Sequence, residues 1–183
     1  EPAQRSALWR HRDFMALWGA ETISQFGSQV SFLALPLVAI LALGESAFKV
    51  ALLTSVVFLP FLLFTLPAGV WVDRLRRKPS LVLGDLGRAA ALATVPVAHW
   101  LGVLTIWQLY AVAFVTGVCT VFFDVAYQSY LPSLVGRDQI VEGNAKLETI
   151  LSAASVAGPG FAGLLVSVLT APVAILADAL SFL

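Results

Sequence analysis

The residues with chemical capacity in this sequence are carboxylates, amides and hydroxyls set inside long apolar stretches. Glu21, Ser24, Gln25, Ser28 and Gln29 recur at intervals of three and four, which places them along one side of a helix. Such a stripe can line a watery path, with Glu21 touching a substrate or carrying a proton. It can equally bond neighbouring helices together, and the residues leave both readings open. Thr116, Thr120, Asp124 and Gln128 repeat every fourth position and share a face in the same way. Asp85 and Arg88 stand at i and i+3, a spacing that lets opposite charges pair on one helix. Asp73 opens a basic run through Arg74, Arg77 and Lys78. Together these groups suit the passage of a polar cargo through an apolar medium, and charge pairs that close and open.

Other chemistries lack their residues. There is no phosphate-binding glycine loop, no His-Glu-x-x-His pair and no Cys/His cluster. His11 and His99 fall at opposite interfaces, so no metal and no cofactor is expected. With no nucleophile–base constellation either, an enzyme is disfavoured. Cys119 is the only cysteine, which excludes an internal disulfide and suits a small buried residue.

The elements that must position these groups follow from composition. Of 183 residues, 59% are hydrophobic and 12% charged, against roughly 45–50% and about 25% in soluble domains. Eleven basic and eleven acidic residues cancel, so bulk charge offers nothing to nucleic acid. No charged residue occurs from Thr22 to Gly44, Val50 to Val72, Ala89 to Phe123 or Thr149 to Ala177. Each run exceeds the ~18–20 residues of a membrane-spanning helix. Open sheet edges do not survive in lipid, so the expectation is an all-α integral membrane protein. Spans are expected at about 14–43, 48–72, 80–100, 106–130 (closed by Pro132) and 144–169. A sixth opens at Thr170-Ala171-Pro172 and is cut off at Leu183. Residues 1–13 form a polar N-terminal segment, too polar for a cleavable signal, and residues 14–183 the membrane bundle. Without an initiator Met, the chain reads as a fragment.

Lys and Arg set the orientation. Arg5, Arg10 and Arg12 precede the first span, Arg74 to Lys78 lie between the second and third, and Arg137 and Lys146 between the fourth and fifth. The opposite side has only Lys49, so the N-terminus is expected in the cytoplasm. Trp9, Trp71, Tyr127 and Tyr130 fit an inner aromatic belt, Trp100 and Trp107 an outer one. Asp73, Asp85, Arg88 and Asp124 then lie at one depth near the cytoplasmic end. They form either a static cluster or a gate. In the fifth span, Gly158, Pro159 and Gly163, with Ala154 and Ala162, suit a kinked helix closely packed through small residues.

The segment Gly69-Val70-Trp71-Val72-Asp73-Arg74-Leu75-Arg76-Arg77-Lys78 resembles the cytoplasmic signature of the major facilitator superfamily, G-x-x-x-D-R-x-G-R-[RK]. Gly69, Asp73, Arg74, Arg77 and Lys78 match, and Arg76 replaces the second glycine. Gly158-Pro159-Gly160-Phe161-Ala162-Gly163 resembles the helix 5 signature of its antiporters, with Ala145 and Ala154 in place of upstream glycines. Phe122 to Gln128, Leu131-Pro132, Asn144-Ala145 and Asp178-Ala179-Leu180-Ser181-Phe182 are similar to the drug:proton antiporter branch that includes macrolide and enterobactin exporters. The resemblance implies a bacterial plasma-membrane transporter of twelve helices, with this chain most of the N-terminal half. It implies three-helix inverted repeats and a small-molecule site between the halves, with protons as the coupling ion. In that family Asp73, Arg77 and Asp124 would form a charge network, the cluster that topology also brings together. Glu21, Gln25, Ser28, Gln29, Thr116 and Thr120 would line the cavity. A differently coupled carrier, and a non-transporting scaffold or receptor, stand as alternatives.

Overall fold

A computed structural model describes residues 12–72, 77–135 and 139–183, with side chains placed except at 69–72, 77–78 and 131–134. Among the described residues the chain is helical throughout, with α1 Arg12–Leu41, α2 Ala47–Val72, α3 Arg77–Trp100, α4 Ile106–Val135, α5 Ile140–Leu169 and α6 Ala171–Ser181. The first five are long and apolar enough to cross a membrane. An α-helix satisfies its backbone internally, which is what lipid demands. Pro36, Pro60, Pro67, Pro96 and Pro159 therefore sit inside helices, each forfeiting one bond without ending the element.

That tolerance corrects two expected boundaries. Pro132 does not close α4, which continues to Val135. α5 starts at Ile140 instead of 144. Its first turns carry Glu142 and Lys146, paired at 2.9 Å four residues apart, a spacing that supports a helix start. The connections α1–α2 and α3–α4 turn on Gly44 (φ +64°) and Gly102 (φ +71°), a conformation that glycine adopts without steric cost. Between α5 and α6 a positive φ falls on Thr170 instead, at φ 73° and ψ 155°.

Packing follows an exchange rule. α4 lies against α2 and α3, α1 against α5 and α6, and α3 against α6. Swapping α1 with α4, α2 with α5 and α3 with α6 maps these contacts onto one another, as an inverted three-helix repeat requires. The main apolar cluster ties α1, α3, α4 and α6 through Val38, Val95, Leu109 and Ile175.

Glycines set the closest approaches. A Cβ at Gly117 of α4 would stand 2.7 Å from Pro60 and 3.0 Å from the Val57 carbonyl of α2. At Gly87 of α3 it would stand 2.7 Å from Cys119 Sγ on α4, so Cys119 is a packing residue. The stripe Ala154, Gly158 and Ala162 is buried, and a Cβ at Gly158 would meet Gln29 of α1. α2 and α5 keep bare outer faces instead: Leu62 and Leu66 are 82% and 87% exposed, Val156 84%.

Candidate functional site

All six helices converge on a cavity of about 790 Å³. α1 contributes Glu21, Gln25 and Ser28. Because Glu21 and Gln25 are one turn apart, the Gln25 amide donates to Glu21 Oε1 at 2.7 Å. Ser24, one position round the helix, is buried against α6 and its hydroxyl donates to the Ser181 carbonyl at 3.4 Å. The stripe thus divides by register between cavity and helix contact. Gln29 departs from the expected lining: its side chain covers Gly158 at the α1–α5 contact. The neighbour without a side chain draws it there.

α4 contributes Thr116, Thr120 and Asp124. The Thr116 hydroxyl donates to the carbonyls of Val112 (2.8 Å) and Ala113 (3.1 Å), and Thr120 to that of Thr116 (2.8 Å). Donors spent on the preceding turn leave the oxygens as acceptors toward the cavity. Tyr127 also lines the space, stacked on Phe123 with centroids 5.9 Å apart and its hydroxyl buried. Its expected place in the inner aromatic belt gives way to a cavity wall. Phe32 of α1, one turn beyond Ser28, and Phe58 and Phe61 of α2 add apolar surface to the lining.

Arg88 of α3 is the one basic group on the described lining. It is 6% exposed, pairs with Asp85, and lies between the rings of Phe123 and Phe182 at 4.4 and 4.3 Å. Such cation–π contacts strengthen when desolvated. Asp124 and Arg88 face the same cavity, while Asp85 is more open to solvent. Of the remaining expected network and its loop, Asp73 and Arg74 lie outside the described residues, as do the side chains of Arg77 and Lys78 and the surroundings of Gly69. Pro159 and Gly163 occupy the exposed side of α5, with open space beside Gly163.

One further acid of the cavity stands in the sequence within the Asp178-Ala179-Leu180-Ser181-Phe182 motif. Asp178 of α6 lines the cavity at 1% exposure. It accepts from Ser181 Oγ at 3.1 Å and packs on Gly27 of α1. The signal was available: a carboxylate within an apolar helix is a site by default.

A polytopic helix bundle with an inverted repeat and a polar, membrane-depth cavity defines the class of this protein. Residues 17–183 match the profile of the Major Facilitator Superfamily, and the chain belongs to that family of transporters. It is 28% identical to the Macrolide efflux protein A of Streptococcus pyogenes over 85% of this chain and 38% of the relative. The Macrolide efflux protein A of Enterococcus faecalis is 31% identical over 61% of this chain and 34% of its own. The Multidrug efflux pump Tap of Mycolicibacterium fortuitum is 28% identical over 78% and 36%. The chain thus spans little more than a third of the curated relatives it matches. No solved structure gives a significant match.

Proposed function

We propose that this chain forms the N-terminal half of a proton-coupled exporter of amphipathic organic compounds in a bacterial cell membrane, with its N-terminus in the cytoplasm. The carrying observation is the mixed lining of the cavity. Carboxylates and hydroxyls of α1 and α4 share it with phenylalanines of α1 and α2, a lining matched to a molecule with both apolar bulk and polar groups. A scaffold has no need of such an interior. The efflux names of the relatives support the direction of transport.

In this reading Glu21, Gln25, Ser28, Thr116 and Thr120 contact cargo, while Asp73, Arg74, Arg77, Asp85, Arg88 and Asp124 bias the closed and open states. The Gly69 and Lys78 loop and the Gly158-Pro159 segment serve the rocking of one bundle against the other. The bare faces of α2 and α5 are the surfaces for the C-terminal half. The test is radiolabelled erythromycin uptake into inverted vesicles carrying the full-length protein. An inward-acid gradient is expected to drive accumulation, and a protonophore to abolish it. Saturable flux that ignores the gradient would instead establish a facilitated carrier.

A further inference from the structure

We propose that Asp178 of α6 is the proton-binding acid of the cavity, donating to Ser31 of α1 when neutral and held by Arg88 of α3 when ionised. The inference rests on the proton-coupled reading and names a residue for it. Two buried oxygens where α1 meets α6 make no hydrogen bond, Asp178 Oδ2 and Ser31 Oγ. They belong to helices in direct contact, and both residues line the cavity. A proton on Oδ2 gives it a donor, and the Ser31 hydroxyl is the acceptor that this donor lacks. One protonation thereby satisfies both atoms, each otherwise costly to bury.

The ionised form meets different neighbours. Gly27 lets the carboxylate lie directly on α1, where the backbone N–H groups are spent on the helix itself. The Ser181 hydroxyl reaches it at 3.1 Å, and the Ser31 hydroxyl can turn to donate to it as well. The counter-charge within electrostatic reach is Arg88, stacked on Phe182 one turn beyond Asp178. Arg88 Nε has no partner, and its other bond goes to Asp85, which has access to solvent. Movement of the guanidinium between its two aromatic rings exchanges Asp85 for Asp178.

The remaining ionisable groups around the space are Glu21 on α1, Asp124 and Tyr127 on α4, and Glu148 on α5. Glu21 is less suited to the role, because its bond to Gln25 stays within one helix. Asp178 sits instead at a junction of α1, α3 and α6, so its charge alters how helices meet. A proton shifts a two-state equilibrium only by binding the two states differently, and this junction supplies that difference. In the step itself, the carboxylate takes a proton from cavity water while open to one side. It returns that proton to water on the other side; one O–H bond forms and later breaks.

The test uses the full-length protein in proteoliposomes with radiolabelled erythromycin, together with infrared difference spectra between pH 5 and 9. Asp178→Asn is expected to reduce gradient-driven accumulation to the gradient-free level, and Asp178→Glu to restore part of it. A pH-sensitive carboxylic C=O band is expected to vanish in Asp178→Asn and persist in Glu21→Gln and Asp124→Asn. Ser31→Ala removes the acceptor, so the band should shift to higher frequency; an unshifted band overturns the proposal even if Asp178→Asn fails to fold. Uphill transport by Asp178→Asn at the wild-type level overturns it while leaving proton coupling intact. If the wild type itself ignores the gradient, coupling fails, and loss or persistence of the band in Asp178→Asn decides the proton site.

Discussion

Arg88 carries the electrostatics of the cavity, and its replacement separates charge from packing. Its charge is paired with Asp85 and its plane is stacked on Phe123 and Phe182. Removing one partner of a buried pair costs about 3–5 kcal/mol, and the partial exposure of Asp85 argues for the lower end. Arg88→Ala is therefore expected to lower the unfolding midpoint in detergent, and Arg88→Ala with Asp85→Ala to recover part of it. Arg88→Lys should not match the wild type, because an ammonium cannot stack in the planar manner of a guanidinium. Full stability in Arg88→Lys would assign the residue a point-charge role only. Asp124 lines the same cavity without belonging to that pair. Asp124→Asn in the full-length protein is accordingly expected to depress erythromycin transport strongly while expression, read by immunoblot, holds.

Among the helices, stability depends on where a Cβ has room. Gly27→Ala would drive a methyl into Asp178 and Ser181, and Gly117→Ala would press on the Val57 carbonyl. Overpacking of this kind costs about 1–3 kcal/mol. Gly19→Ala meets open space within α1 and should be neutral or gain up to about 1 kcal/mol in helix propensity. Equal midpoints for all three in thermal unfolding would refute the close helix approach. The helices were legible in the sequence because lipid makes charge-free runs diagnostic. Their ends were less so: Pro132 is a stop signal in water but not in a bundle that supplies its own solvent. The polar stripe of α1 was visible, yet whether Gln29 faced the cavity or α5 depended on the rotation of that helix against Gly158. Asp178 was visible only as a motif letter, since its meaning comes from α1 and α3, far away along the chain.

At the scale of the whole molecule, the exchange relation between α1–α3 and α4–α6 and the distribution of Lys and Arg both bear on sidedness. With the N-terminus in the cytoplasm, Arg76 is inside and Glu45 outside. On a Cys119→Ala background, an impermeant maleimide applied to intact cells should label Glu45→Cys and not Arg76→Cys. The reverse pattern would invert the map and, with it, the side on which Asp178 takes its proton. Trp100 and Trp107, both well exposed near the α3–α4 turn, would lie at the outer interface, where amphipathic rings favour the headgroup level.

The partners of α1 also bear on how the protein is made. Trp18 bonds to the Lys146 carbonyl 128 residues later, and Ser24 to Ser181 after 157. At about 5–20 residues per second, the first of these partners emerges roughly 6 to 25 seconds after Trp18 itself. Through that interval α1 stands in the bilayer with Glu21 and Gln25 satisfied mainly by each other, while α2, α3 and α4 complete their own contacts. The nascent chain therefore passes through a stage in which α1 has its lighter contacts with α2 and α4 but lacks its main ones with α5 and α6. An insertion chaperone or a quality-control protease would encounter α1 at that stage, and ribosome-stalled chains ending before α5 should leave it open to both.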